Sequence, residues 1–204
     1  MGEKFLDKAY NLASPEETQA MYDAWAASYD AEIAENGYAT PGRLAELLFR
    51  HLPEPSEPIL DYGCGTGLSG LALKLAGFEV IDGMDPSPEM LDGARRKGVY
   101  RKLDLLDLGQ TEPIPQGAYR VITCVGVIGT GAAPASTFDL VMHALPKGGI
   151  VALSLNDHAL AEPKYSAALN GWLDCGAARL HVKNYGPHLP GQNLNSNIYI
   201  IEKA

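Results

Sequence analysis

At 204 residues, with 46% hydrophobic and 20% charged residues, the chain has the make-up of one globular domain with a substantial core. Its 16 basic and 25 acidic residues leave a formal net charge of -9, which argues against non-specific binding to nucleic acid or an anionic membrane, since both need a basic footprint. Three cysteines, Cys64, Cys124 and Cys175, stand far apart in sequence; that odd, scattered set points to reduced thiols and a cytoplasmic setting.

Metal-ligand spacings such as C-x-x-C or H-E-x-x-H are missing, and the five histidines do not cluster, so no metal is expected. The opening residues, MGEKFLDKAYN, carry no signal-peptide apolar run. No stretch is long and apolar enough to span a membrane. The densest basic cluster, Arg95-Arg96-Lys97 with Arg101-Lys102, reads as a solvated face.

In chain order, Ser14-Pro15-Glu16-Glu17 marks a helix start: a capping hydroxyl, a proline in the first turn, then acids near the positive end. Met21, Trp25 and Tyr29 follow at four-residue steps and make one face aromatic and apolar. For Trp25, core packing and a lid over a pocket are both open readings. Gly37 ends this helical region. Thr40-Pro41 begins another helix with Leu44, Leu47, Leu48 and Leu52 facing inward, and Pro53 closes it. Residues 53–58 (PEPSEP) form a stiff connector.

Residues 59–70, ILDYGCGTGLSG, are the stretch around which the rest is arranged. A short apolar run ends in Asp61; Gly63, Gly65 and Gly67 alternate; then Leu68, Leu71, Ala72 and Leu75 recur at helical spacing. A strand, a glycine turn and a helix open a βαβ unit, and the helix N-terminus behind the turn favours an anionic group. Gly77 caps that helix, and residues 78–81 read as the second strand. Asp85, just beyond it, faces the crevice at the carboxyl ends of a parallel sheet, where it can accept both hydroxyls of a ribose. Asp82 reads as a surface residue. Pro86 offers a flat apolar surface to an adenine. Ser87-Pro88-Glu89 starts the next helix, which carries Met90, Leu91 and Ala94 and stops at Gly98.

Residues 99–103 read as a third strand, followed by Asp104 and Asp107-Leu108. Residues 119–125 (YRVITCV) form a fourth, leading into Gly126-Val127-Ile128-Gly129. A helix over 136–145 and the turn Leu145-Pro146-Lys147-Gly148-Gly149 lead into a fifth strand over 150–155. Asn156-Asp157-His158 then stand on the ligand side of the sheet. A helix over 161–174, strands over 177–183 and 197–202, and a polar link over 184–197 suggest a hairpin-like antiparallel end to the sheet.

Two cofactor readings fit the glycine loop. Gly65-x-Gly67-x-x-Gly70 with Asp85 matches the dinucleotide fingerprint and would suit an NAD-linked oxidoreductase; Lys164 and Tyr165, adjacent rather than a helical turn apart, do not help it. The longer string Asp61-x-Gly63-x-Gly65-x-Gly67 resembles the first signature of the class I S-adenosylmethionine (SAM) dependent methyltransferases. Asp85, the segment LPKGG and the hairpin ending follow in that family's order. The string YDAWAASYD at 22–30 resembles the segment preceding the family's core. The segments ARRKGVYRKLDLLDL and CVGVIGTG also resemble a smaller group, the Williams–Beuren-region methyltransferase-like proteins.

The resemblance implies a Rossmann-like, mostly parallel α/β sheet of about seven strands. The last strand is antiparallel, helices lie on both faces, and an N-terminal helical cap precedes the sheet. It implies a single domain over 1–204, with 1–52 as cap and 58–204 as the SAM-binding core. It assigns SAM contacts to Trp25, Tyr29, Asp61, Gly63, Cys64, Gly65, Thr66, Gly67, Asp85, Pro86, Met90, Asp107, Leu108, Val125, Gly126 and Val127. Cys64 reads as a small side chain against the ligand rather than a nucleophile. Arg120 stands where the family usually has an acid. No acid or asparagine stands at the exit of the fourth strand, so the motif of many DNA and protein N-methyltransferases is missing. The implied activity is methyl transfer to a small-molecule acceptor with S-adenosylhomocysteine (SAH) as product. His158 is the candidate base should the acceptor need to lose a proton. A SAM-fold module without catalysis is the remaining alternative. The oligomeric state is not given by the sequence.

Overall fold

A computed structural model of the chain describes residues 15–52 and 54–204. The readings placed on Ser14, on Pro53 and on the first eleven residues lie outside the described residues. Among the described residues three helices precede the first strand: α1 (Pro15–Trp25), α2 (Tyr29–Glu35) and α3 (Thr40–His51). Strands and helices then alternate as β1 (Ile59–Tyr62), α4 (Leu68–Ala76), β2 (Ile81–Asp85), α5 (Pro88–Lys97), β3 (Lys102–Leu105), β4 (Val121–Cys124), α6 (Ser136–Ala144) and β5 (Ile150–Asn156). Two helices, α7 (Asp157–Ala161) and α8 (Pro163–Asp174), precede the closing hairpin of β6 (Ala178–Leu189) and β7 (Leu194–Lys203).

The seven strands form one sheet in the order β3-β2-β1-β4-β5-β7-β6. The first five pair in parallel, and β7 runs antiparallel to both β5 and β6. The Rossmann-like sheet with one reversed strand is therefore as expected. Order reverses between β1 and β4, and in such sheets the crevice for a ligand lies there, beyond the carboxyl ends of the strands.

Alternation along the central strands feeds two cores, because successive side chains point to opposite faces. Ile122 and Cys124 with Val151, Leu153 and Leu155 pack against Phe138, Val141 and Met142 of α6. On the other face Val121, Ala152, Ile198 and Ile200 meet Leu44 and Leu48 of α3 and Leu73 of α4. A third, smaller cluster joins Trp25 and Ile33 of the leading helices to Leu189 and Leu194 of the hairpin.

Several boundaries differ from the sequence reading. The stripe Met21, Trp25, Tyr29 is broken by a turn after Trp25, so Tyr29 begins its own helix. The second strand is Ile81–Asp85 rather than 78–81. Phe78 instead packs beneath the helices, while Asp82 and Gly83, poor strand formers, are held in the sheet by pairing with Leu60 and Asp61. Asp82 is therefore not a surface residue: it is fully buried. It accepts hydrogen bonds from Arg101 Nε at 2.9 Å and Tyr119 Oη at 2.7 Å. Burial opposes its ionisation, but those bonds outweigh burial and hold the carboxyl below its usual range.

The third strand shifts to Lys102–Leu105, since Tyr100 leaves the sheet to pack against α4. The supposed polar link over 184–197 is almost all strand, with the chain reversing through one short 3₁₀ turn, Pro190–Gln192. As an edge strand β6 exposes much of its length, which suits a polar sequence.

Candidate functional site

A cavity of about 530 Å³ lies at the carboxyl ends of β1, β2 and β4 beneath α1 and α2. That volume suits a cofactor-sized ligand. Its floor is the loop after β1. Gly63 has φ +71°, and a Cβ there would sit 2.5 Å from Val127 Cγ2, so the two loops meet only because the side chain is absent. The loop then enters α4.

Asp85 closes β2 on one wall. Its Oδ2 accepts the Gly65 N–H at 2.8 Å and its Oδ1 the Ser87 N–H at 3.0 Å. Each oxygen retains a free lone pair, so the carboxylate can take two more donors, such as neighbouring hydroxyls. Burial raises its pKa to about 6, against the lowering effect of the two N–H bonds. Further donors from a ligand would relieve that strain, and in this respect the site fits a ribose.

Of the sequence-assigned residues, Tyr29, Gly63, Cys64, Gly65, Thr66, Asp85, Pro86 and Met90 line this cavity. So do Asp107, Leu108, Val125, Gly126 and Val127. Residues from β1, β2, β4 and the segment after β3 thus converge. Burial pushes the Cys64 thiol well up, so it stays protonated and is no nucleophile.

Three assigned residues do not line it. Asp61 is fully buried. Its carboxylate accepts from Ser69 Oγ at 2.6 Å, Tyr100 Oη at 2.8 Å and Thr123 Oγ1 at 2.9 Å, tying β1, α4, β4 and the lead-in to β3 together. Burial raises its pKa and the three bonds only partly offset this. Gly67 caps α4. Trp25 sits in the third core cluster and walls a smaller side chamber instead. His158 is exposed on α7 and lines neither space. Beside it, Asp157 accepts from Tyr185 Oη and the Asn195 N–H, both at 2.9 Å, and Asn156 caps α7.

Residues the sequence did not flag complete the walls: Gln19, Tyr22, Tyr38, Tyr62, Thr137 and Leu140. Tyr62 was readable, since strand alternation turns it to the face opposite Asp61. The cap is pinned by named bonds. Gln19 Nε2 donates to the Pro86 carbonyl at 2.9 Å. Asp30 accepts from Thr66 Oγ1 at 2.5 Å and from Lys97 Nζ at 2.6 Å, and Lys97 also reaches the Thr66 carbonyl at 2.6 Å.

The Gly65-x-Gly67-x-x-Gly70 spacing has a packing cause at its last position. A Cβ on Gly70 would lie 2.2 Å from Tyr100 Cζ. The Gly70 N–H donates to that tyrosine's hydroxyl at 3.1 Å.

A family model described as a methyltransferase domain matches residues 33–193. Human Methyltransferase-like protein 27 is 36% identical over 156 residues, which cover 75% of this chain and 63% of that protein. The chain thus spans somewhat less than two thirds of that relative's length. Among solved structures, the [4+2]-cyclase SpnF superposes with a TM-score of 0.69 at 15% identity, covering 94% of this chain and 97% of its own. A Burkholderia thailandensis 1,6-didemethyltoxoflavin-N1-methyltransferase, solved with 1,6-didemethyltoxoflavin and SAH, does so with a TM-score of 0.66 at 17% identity, covering 95% and 92%. At such identities these two likenesses carry the fold alone.

Proposed function

The chain belongs to the class I SAM-dependent methyltransferase family, and from that premise we propose that it methylates a small-molecule acceptor, with SAM held against Asp85 and the glycine loop. One observation supports this most: the buried Asp85 carboxylate shares a single cavity with Gly63, Gly65 and Thr66. When bound, SAM supplies a sulfonium-activated methyl group that a nucleophile takes by in-line displacement.

The chain's own part is to bind, orient and exclude water. In this reading Asp85 accepts the ribose hydroxyls, Pro86 and Met90 flank the adenine, and Asp107 with the Leu108 N–H meets its edge. Cys64, Gly65 and Thr66 border the methionine end, and Tyr29 covers it. Val125, Gly126 and Val127 border the reacting end. Asp61, Gly67 and Trp25 shape these walls from behind. Holding the two reactants in line can account for roughly 7–11 kcal/mol of barrier without a dedicated base. In this reading His158, exposed and outside both spaces, takes no part in the step. We also read the chain as one domain, with 1–52 the cap and 58–204 the core.

A small acceptor is supported by the net charge of -9 and by the cap, which roofs the cavity with Gln19, Tyr22 and Tyr29. The cyclase on the same fold is a reason to measure methyl transfer itself. Calorimetry on the purified chain should show binding of SAM and SAH and none of NAD. Metabolite pools incubated with SAM should then contain a species heavier by one methylene. NAD binding without SAM binding would overturn the reading.

A further inference from the structure

Beside the main cavity lies a side chamber of about 50 Å³. The two share Tyr22, Tyr29, Tyr38, Gly126 and Ala132 as walls. The chamber adjoins the loop assigned above to the reacting end. Among the described residues no lysine or arginine lines either space, and the acids that do, Asp85 and Asp107, both line the main cavity. An anionic acceptor would find no protein cation to pair with there and would depend on the sulfonium of bound SAM alone.

Two buried polar side chains wall the chamber: Ser154, whose Oγ accepts the Gly126 N–H at 2.9 Å, and His188, at the end of β6 and only 5% exposed. Tyr38 packs edge-on against it, with centroids 5.2 Å apart at 84°. Its Nδ1 lies 2.8 Å from Thr40 Oγ1. Its Nε2 has no hydrogen-bond partner among the described residues. With Nδ1 turned to Thr40, Nε2 belongs to the part of the ring left to face the chamber.

The proton positions follow from the partners behind it. Thr40 Oγ1 is 3.0 Å from Ser196 Oγ, and Arg43 Nη1 donates to Ser196 Oγ at 3.2 Å. A guanidinium can only donate. If Ser196 passes its proton to Thr40, and Thr40 passes its own to Nδ1, every hydroxyl proton is used and each bond polarises the next. The reverse direction would aim two donors at Ser196 Oγ and leave the serine proton without a partner in the relay. The first direction makes Nδ1 the acceptor and puts the neutral ring's hydrogen on Nε2, and it is the assignment the proposal adopts.

We propose that this chamber is the acceptor subsite, and that His188 Nε2–H donates there to a carbonyl- or lactam-type oxygen on a neutral, planar methyl acceptor. The proposal rests on the methyltransferase reading above and names the substrate class for that site. A flat group is suited to the walls, since four aromatic side chains, Tyr22, Trp25, Tyr29 and Tyr38, line the chamber. Burial lowers the histidine's pKa to about 4, with Asp157 opposing that shift and Arg43 and His158 adding to it. The ring so stays uncharged at neutral pH and acts as a donor, not as a base.

The test uses the full chain with ¹⁵N-labelled histidine, saturated with SAH, and 2-pyridone as the probe. Long-range ¹H–¹⁵N spectra should show His188 as the Nε2–H tautomer at pH 7 and still neutral at pH 5. Adding 2-pyridone should shift the Nε2 resonance, and benzoate should not. His188→Phe should weaken 2-pyridone by about tenfold, the worth of one neutral hydrogen bond, while SAH affinity stays within about twofold. Thr40→Val, which cuts the relay but keeps the shape, should populate the other tautomer and weaken 2-pyridone too. An Nδ1–H tautomer, no 2-pyridone binding to the SAH-loaded chain, or equal affinity in His188→Phe would each overturn the proposal while leaving the cofactor reading intact. Failure of SAH to bind the unaltered chain would bring down both.

Discussion

Two aspartates, Asp61 one residue before the end of β1 and Asp85 at the end of β2, stand beside one glycine loop, yet they do different work. Asp61 has three side-chain donors and no access to the cavity. Asp85 has two backbone donors and lines it. The consequence for Asp85 is a pH dependence with an unusual sign. Its folded pKa, about 6, lies above the ordinary 3.8, so the folded state binds the extra proton and gains stability as pH falls through that window. Above pH 6 the buried charge costs roughly 3 kcal/mol by the usual conversion. Asp85→Asn removes the ionisation. The stability of the unaltered chain relative to Asp85→Asn, from urea unfolding without ligand, should therefore decline by up to roughly that amount between pH 4 and pH 7. Ligand hydroxyls favour the ionised carboxylate, so SAH should bind more tightly as pH rises from 5 to 7. A stability difference that stays flat with pH would contradict the role given to Asp85.

Among the elements, the glycine turn and the parallel strands were legible because their signals are local: alternating glycines, a strand-end acid, capping serines. Asp82 was not, because its neutralising partners Arg101 and Tyr119 come from the lead-in to β3 and from beside β4. The hairpin's length was hidden as well, since an edge strand with an exposed face reads as a polar loop. The same non-locality governs α4, whose fit against Tyr100 depends on Gly70. Gly70→Ala should cost about 1–3 kcal/mol of stability by overpacking, measurable by denaturant unfolding; an unchanged midpoint would mean Tyr100 can move aside. The cap depends on the Lys97 bridge to Asp30 and the Thr66 carbonyl. Lys97 is 16% exposed there and its partner Asp30 48%, so the bridge is shielded from one side only. Lys97→Met should release SAH several-fold faster with little change in its association rate, read by stopped-flow displacement. Equal dissociation rates would show that the cap is held by its aromatic packing alone.

Across the whole molecule, the acceptor subsite was the least legible feature, and its construction explains why. It takes Tyr22 and Trp25 from α1, Tyr38 from the turn before α3, Ser154 from β5 and His188 from β6, segments brought together only by the finished sheet order. Charge, in contrast, is readable from sequence and constrains the acceptor at this scale. A net -9 and cavity walls without lysine or arginine among the described residues both disfavour a polyanion. A protein that engages RNA through phosphate contacts loses affinity steeply with salt, by about 0.7 to 0.9 in log K per log salt for each contact. Total tRNA titrated into the SAH-loaded chain at 50 and 200 mM salt should therefore give no salt-dependent complex. A slope of several units would mean that the basic cluster at Arg95, Arg96, Lys97, Arg101 and Lys102 works as a nucleic-acid surface. The acceptor would then be a macromolecule reaching the cavity from the α5 side, and the small-acceptor reading would fall while the family assignment stood.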